Sequence, residues 1–185
     1  MALGFWETLI TAQGDGTAVT AAAATTLLPA QAKKTLLPNY FDVIGKQMLI
    51  KATGRISNVT PTPGTARFDL RFGATVVWDG QAIVLDPNTA YTNVGWIFEL
   101  LLTCRGPIGA ANTLFGQGTY TAVNITGEPA TPPKAAMVAV LPWNQAPVVG
   151  TAFDSTVAQV IDFFFTQTVT SGSCLLHQFA VYGQN

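Results

Sequence analysis

Between Asn93 and Arg105 the chain sets Trp96, Phe98, Leu100, Leu102 and Cys104 at every second position. A period of two belongs to a strand, whose side chains point alternately to opposite faces, and no helix can gather such residues on one side. The pattern recurs. Over Gln47–Ser57, Met48, Ile50, Ala52 and Ile56 share one side, and Gln47, Lys51, Thr53 and Arg55 the other. Over Arg67–Phe72 the inward residues are Phe68, Leu70 and Phe72. Over Val157–Val169, Ile161, Phe163 and Phe165 oppose Val160, Asp162, Phe164 and Thr166.

Shorter strands are predicted at Thr75–Trp78 and Gln81–Leu85, joined by a hairpin turn at Asp79-Gly80, a strong signal of that kind. Further strands are predicted at Leu114–Ile125, where Gly116 and Gly118 mark a bulge or close packing, at Ala135–Leu141 and at Cys174–Tyr182. Gly73-Ala74, Gly106-Pro107, 127–133 and Ser171-Gly172 punctuate them. Eight to ten strands at this spacing, with no helical periodicity, predict an all-β antiparallel sandwich or jelly roll. Residues 36–185 are read as the jelly-roll domain. Residues 1–35, rich in small residues after an aromatic start, are read as an extended N-terminal arm or a first strand.

Composition decides what such a sandwich is for. Hydrophobic residues make up 49% of the chain and charged residues 10%, against about one-quarter charged in an ordinary soluble domain. A protein without a charged coat is expected to hide its neutral faces in a larger assembly. The longest strand carries Ile97 and Leu101 on its second face, which predicts cover on both sides or a subunit contact. No run of ~18 apolar residues suggests a membrane span. A net charge of −1 offers no basic patch for nucleic acid. Met1–Ile10 lacks Lys and Arg, so no basic leader is read there and the chain is expected to stay in the cytoplasm that makes it. Cys104 and Cys174 are expected as buried thiols, with one disulfide as the alternative.

The search for chemistry is brief. His177 is the sole histidine, and Cys174, three residues away on a strand, faces the other way, so no zinc site is predicted. No serine sits in a nucleophile elbow, and no phosphate-binding glycine loop or calcium cluster is present. Asp69 and Glu99 could pair as glycosidase carboxylates. The favoured reading sets Asp69 between Arg67 and Arg71 on a solvated face, and gives Glu99 a cross-sheet partner in Arg55, Arg67 or Arg71. The sequence therefore predicts no enzyme, no cofactor and no metal. Trp143, in a Pro-flanked loop with Asn144, is the best candidate for exposed glycan contact.

Several segments carry a resemblance: Leu37-Pro38-Asn39-Tyr40-Phe41, Ile44-Gly45-Lys46, Ile50–Ser57, Phe68–Gly73, Asn93–Trp96, Thr103-Cys104-Arg105 and Asp154–Gln159. Together they resemble small virion proteins of tailed bacteriophages with a jelly-roll domain. The resemblance implies a structural virion component, either a capsid decoration (cement) protein or a fibre-like appendage, often trimeric, made in the host cytoplasm and bound to the major capsid protein or other virion proteins. It carries over no catalytic residue. On this reading Phe5, Trp6, Leu9 and Ile10 anchor the arm on the shell or a sister subunit, and the jelly roll is expected to form a homotrimer through its apolar sheet face. The alternative is a receptor-binding or fibre-tip domain that sets Trp143 and Asn144 against a host glycan.

Overall fold

The computed structural model describes residues 6–123 and 136–184. Among them are eleven strands: β1 (Trp6–Thr11), β2 (Thr25–Thr26), β3 (Thr35–Leu36), β4 (Gln47–Asn58), β5 (Thr65–Phe72), β6 (Thr75–Val84), β7 (Tyr91–Cys104), β8 (Leu114–Val123), β9 (Ala136–Leu141), β10 (Gln159–Gln167) and β11 (Ser173–Gln184). The helical content described is one short 3-10 turn, Ala30–Ala32. The strands form two antiparallel sheets, a wide one in the order β1-β11-β4-β7-β8-β9 and a narrow one in the order β2-β10-β5-β6, with β3 also pairing β10.

The pairings are nested. β1 pairs β11, β2 pairs β10, β4 pairs β7 and β5 pairs β6, so the chain runs out and back as one long hairpin. Its tip is the Gly73-Ala74 turn, where Gly73 supplies φ +58°. Curling that hairpin sets β11 beside β4 and β10 beside β5, which closes a jelly roll. The β8–β9 hairpin follows β7 and widens its sheet.

The alternation read from sequence decides what lies between the sheets. Met48, Ile50, Ala52 and Ile56 of β4 meet Trp96, Phe98, Leu100 and Leu102 of β7 on the inner face. Phe68 sits at the centre, with the rings of Trp96, Phe98, Tyr120, Phe163 and Phe165 at 5.3–5.7 Å. Tilted aromatic pairs at such spacings add to the burial of their area. Two glycines make room for large rings. A Cβ on Gly54 would collide with Trp96, and one on Gly116 with Trp78, whose indole donates to the Gly116 carbonyl at 3.1 Å. β8 pairs with β7 without a register shift, so its glycines mark close packing and not a bulge.

One expectation changes. Asp79-Gly80 is no hairpin turn, because β6 runs through it and stays paired with β5. The register instead slips there, between Arg67 and Asp69, and Gln81 takes φ +63°. The Asp79 carboxylate fixes this bulge: Oδ1 accepts from Arg67 Nε at 2.8 Å and Gln81 N at 2.9 Å, and Oδ2 from Arg67 Nη2 at 2.6 Å and Gln81 Nε2 at 3.1 Å. The cysteines stand as expected, as buried thiols. Both are free, and β4 lies between the strands that carry them. The Cys104 thiol donates to Asn112 Oδ1 at 3.3 Å.

Parts of the first 35 residues are built into the sandwich. β1 forms one edge of the wide sheet, Val19 bridges to Cys174, and Leu27, Leu28 and Ala32 are buried.

Candidate functional site

Each sheet has an outer face, and the two differ in chemistry. At the middle of the wide sheet the outward residues of β4 include Leu49, Lys51 and Thr53, with Arg55 beyond them, and those of β7 include Ile97, Glu99 and Leu101. Register sets them opposite one another: Leu49 beside Leu101, Lys51 beside Glu99, Thr53 beside Ile97. Lys51 Nζ lies 2.7 Å from Glu99 Oε1, and that hydrogen bond holds the ammonium pKa above its ordinary value. Glu99 therefore finds its partner on the adjacent strand, and not in Arg55, Arg67 or Arg71. The sequence had put Lys51 on the polar side of its strand and had left Glu99 in need of a partner. What it lacked was the β4–β7 register.

Around this ion pair the face is mostly apolar or neutral, with Arg55 exposed one row beyond Thr53 and Arg105 just past the end of β7. Ile97 is 54% exposed, Val138 63% and Val140 55%. Thr53 donates to Gln178 at 3.1 Å. Two shallow depressions of about 470 and 400 Å³ lie on this face, the first across the β4–β7 seam against Thr53, Glu99 and Gln178, the second over β7 to β9 against Leu101, Gln117 and Val140. No described element packs over this face. Isolated apolar residues on a surface need no explanation, but a contiguous face of them marks an interaction site.

The narrow sheet carries ion pairs. Arg71 Nε donates to Asp69 Oδ1 at 2.5 Å, and its guanidinium lies 3.9 Å from the Phe164 ring centre. The bond to Asp69 raises the Arg71 pKa further. Lys33 Nζ contacts Asp162 at 2.7 Å, and Thr26 donates to the same carboxylate. Arg67 and Asp79 form the planar two-bond pair already described. Asp69 is thus flanked as expected but not solvated, being 1% exposed. It and Glu99 project from opposite outer faces of the sandwich, so the two carboxylates cannot act on one glycosidic bond.

The structure scatters the residues proposed for arm anchoring. Phe5 lies outside the described residues. Trp6 is 65% exposed at the edge of the wide sheet, its ring 6.2 Å from Tyr182. Leu9 packs against the core, and Ile10 lies within it.

Trp143 and Asn144 separate in the same way. Trp143 is half-buried against the core and its backbone N–H donates to the Gly80 carbonyl at 2.8 Å, while Asn144 is exposed at φ +51°. Their loop straps the free edge of β6, with Gly150 packed on the Val77 carbonyl. Between strap and sheet lies a groove of about 380 Å³ bordered by Arg67, Asp79, Gln81 and Gln145. Sequence reasoning missed that polar wall because Asp79-Gly80 read as a turn.

His177 is half-exposed beside Asp15, with Nδ1 3.0 Å from Oδ1. Among the described residues no three His, Cys, Asp or Glu side chains gather as metal ligands. No protein-family model matches this chain, and no curated protein matches it either.

Proposed function

We propose that this chain is a structural component of a bacteriophage virion, a capsid decoration protein that binds the particle surface as an oligomer. The observation that carries the assembly part is the outer face of the wide sheet. It spans β1 to β9, holds the Lys51–Glu99 pair at its middle, and leaves Ile97, Leu101, Val138 and Val140 in water. Only 10% of the chain is charged, so the rest of the surface offers little to offset that face. The virion part rests on the resemblance of residues 36–182 to phage jelly-roll proteins. The edge strand β1, with Trp6 exposed beside Tyr182, offers the contact to a neighbour, while Ile10 serves the fold.

The test is made on particles. Purified virions from a lysate in which this gene carries an epitope tag should contain the chain by mass spectrometry, and gold label should decorate the head. Virions without the chain sink the proposal.

A receptor-binding role is the second reading, favoured by the polar groove under the Trp143 strap. Asp79 is saturated by four donors, which fixes the Arg67 guanidinium and the Gln81 amide as a preset polar wall of the kind that hydroxyl-rich ligands meet. Glycan-array binding that is lost in Arg67→Ala, together with label at the tail tip, would select this reading over decoration.

A further inference from the structure

The wide sheet has three strands on each side of the seam between β4 and β7, and the seam carries the Lys51–Glu99 pair. We propose that this outer face binds a second copy of the same chain, face to face, about a two-fold axis that lies in the interface and runs along the strands at that seam. The inference shares one premise with the assembly reading, that this face is covered, and it names the cover.

Charge selects the axis. Rotation about a line along the seam carries β4 of one copy over β7 of the other. Lys51 then faces the partner's Glu99, and Glu99 the partner's Lys51, so each charge gains a second opposite neighbour. Rotation about a line across the strands through the same row would set Lys51 on Lys51 and Glu99 on Glu99, which like-charge repulsion forbids. Sheets pack about 10 Å apart, a gap that Lys and Glu side chains reaching from both sides can span.

The neighbouring rows obey the same operation. Leu49 meets the partner's Leu101, apolar on apolar. Thr53 meets the partner's Ile97, a methyl-bearing side chain on an aliphatic one. The match follows from a register that puts Leu49, Lys51 and Thr53 opposite Leu101, Glu99 and Ile97 within one chain. A face whose two halves complement each other across the seam is self-complementary, which an isologous interface requires.

Area agrees as well. Six strands at ~4.8 Å spacing over about eight residues of length present roughly 600–800 Å² per copy, near the ~800 Å² per partner of a standard stable interface.

The experiment measures mass in solution by sedimentation equilibrium on the full chain. Wild type is expected to be a dimer at micromolar concentration. Lys51→Glu and Glu99→Lys each place four like charges at the seam of a homodimer, so each alone should dissociate at least tenfold more readily. Mixed together, the two variants should form a heterodimer, since each then offers the charge the other lacks. That recovery cannot come from a contact within one chain. Ile97→Glu leaves the ion pair intact and should also weaken the dimer.

A wild-type monomer at 100 μM, a trimer, a dimer indifferent to these changes, or a failed rescue on mixing would each overturn the pairing. Particle composition is read separately. A monomer that is nonetheless found in virions refutes the pairing and leaves the virion proposal standing, and a dimer absent from every particle does the reverse.

Discussion

The two outer faces of this sandwich come from one alternation rule and lead to opposite chemistry. On the narrow sheet, Arg71–Asp69, Arg67–Asp79 and Lys33–Asp162 bind charges to one another at the surface, two of them through a nearly buried carboxylate. On the wide sheet the exposed Lys51–Glu99 pair stands among mostly apolar and neutral neighbours, with Arg55 one row beyond Thr53. The contrast separates two uses of charge. Where a carboxylate is enclosed, its partner holds the fold. Where the pair is solvated, it adds little to folding and is free to specify a contact.

Substitutions can break that contrast. The largest effect is expected at Arg71. Arg71→Ala leaves Asp69, 1% exposed, without its cation and should cost about 3–5 kcal/mol in urea unfolding. A loss below about 1 kcal/mol would show that Asp69 is not held by this pair. Next comes Gly116→Ala, which sets a methyl against the Trp78 indole and 2.6 Å from Leu102 Cδ2, where the two sheets meet. A loss of about 1–3 kcal/mol is expected, with Trp fluorescence shifted.

Alkali probes the core that both faces share. Burial pushes Cys174 and Tyr120 well up, and burial aided by Glu7 lifts Tyr40 to about 12. Groups whose pKa is higher folded than unfolded hold more protons in the native state. Their contribution is complete below the unfolded values of 9.0 for Cys and 10.0 for Tyr, and fades as pH climbs toward the native ones. The unfolding midpoint should therefore fall steadily between pH 9 and 12, less steeply in Tyr40→Phe. A flat profile refutes the assignment. The smallest effect is expected at Lys51, where Lys51→Ala should leave the urea midpoint nearly unchanged, since both members of the pair are about half exposed. A clear drop there would erase the distinction between the faces.

The strands themselves were legible because period-two alternation is local. Residues 47–57 and 93–105 announced β4 and β7 almost to their ends. What stayed hidden is non-local. The Lys51–Glu99 pair needs a register between segments some fifty residues apart, and no local pattern encodes it. Asp79-Gly80 looked like a turn because the dipeptide fits one, and the long pairing of β5 overrode it. β2 and β3, two residues each, are too short for any period to show. In the candidate sites, Ile97 and Leu101 were legible as a second apolar face. The wall of Arg67, Asp79 and Gln81 was not, since it forms at a bulge.

The nested pairing bears on how the molecule is made. Trp6 is hydrogen-bonded into a strand that begins at Ser173, and that strand is interior to its sheet. A ribosome must therefore deliver nearly the whole domain before the first strand meets its neighbour. Until then Phe68 and the rings around it have no closed chamber, and closing such distant contacts is slow. Synthesis rather than the finished shape is where this protein is most exposed to aggregation, and a chaperone that shelters aromatic strands would act there.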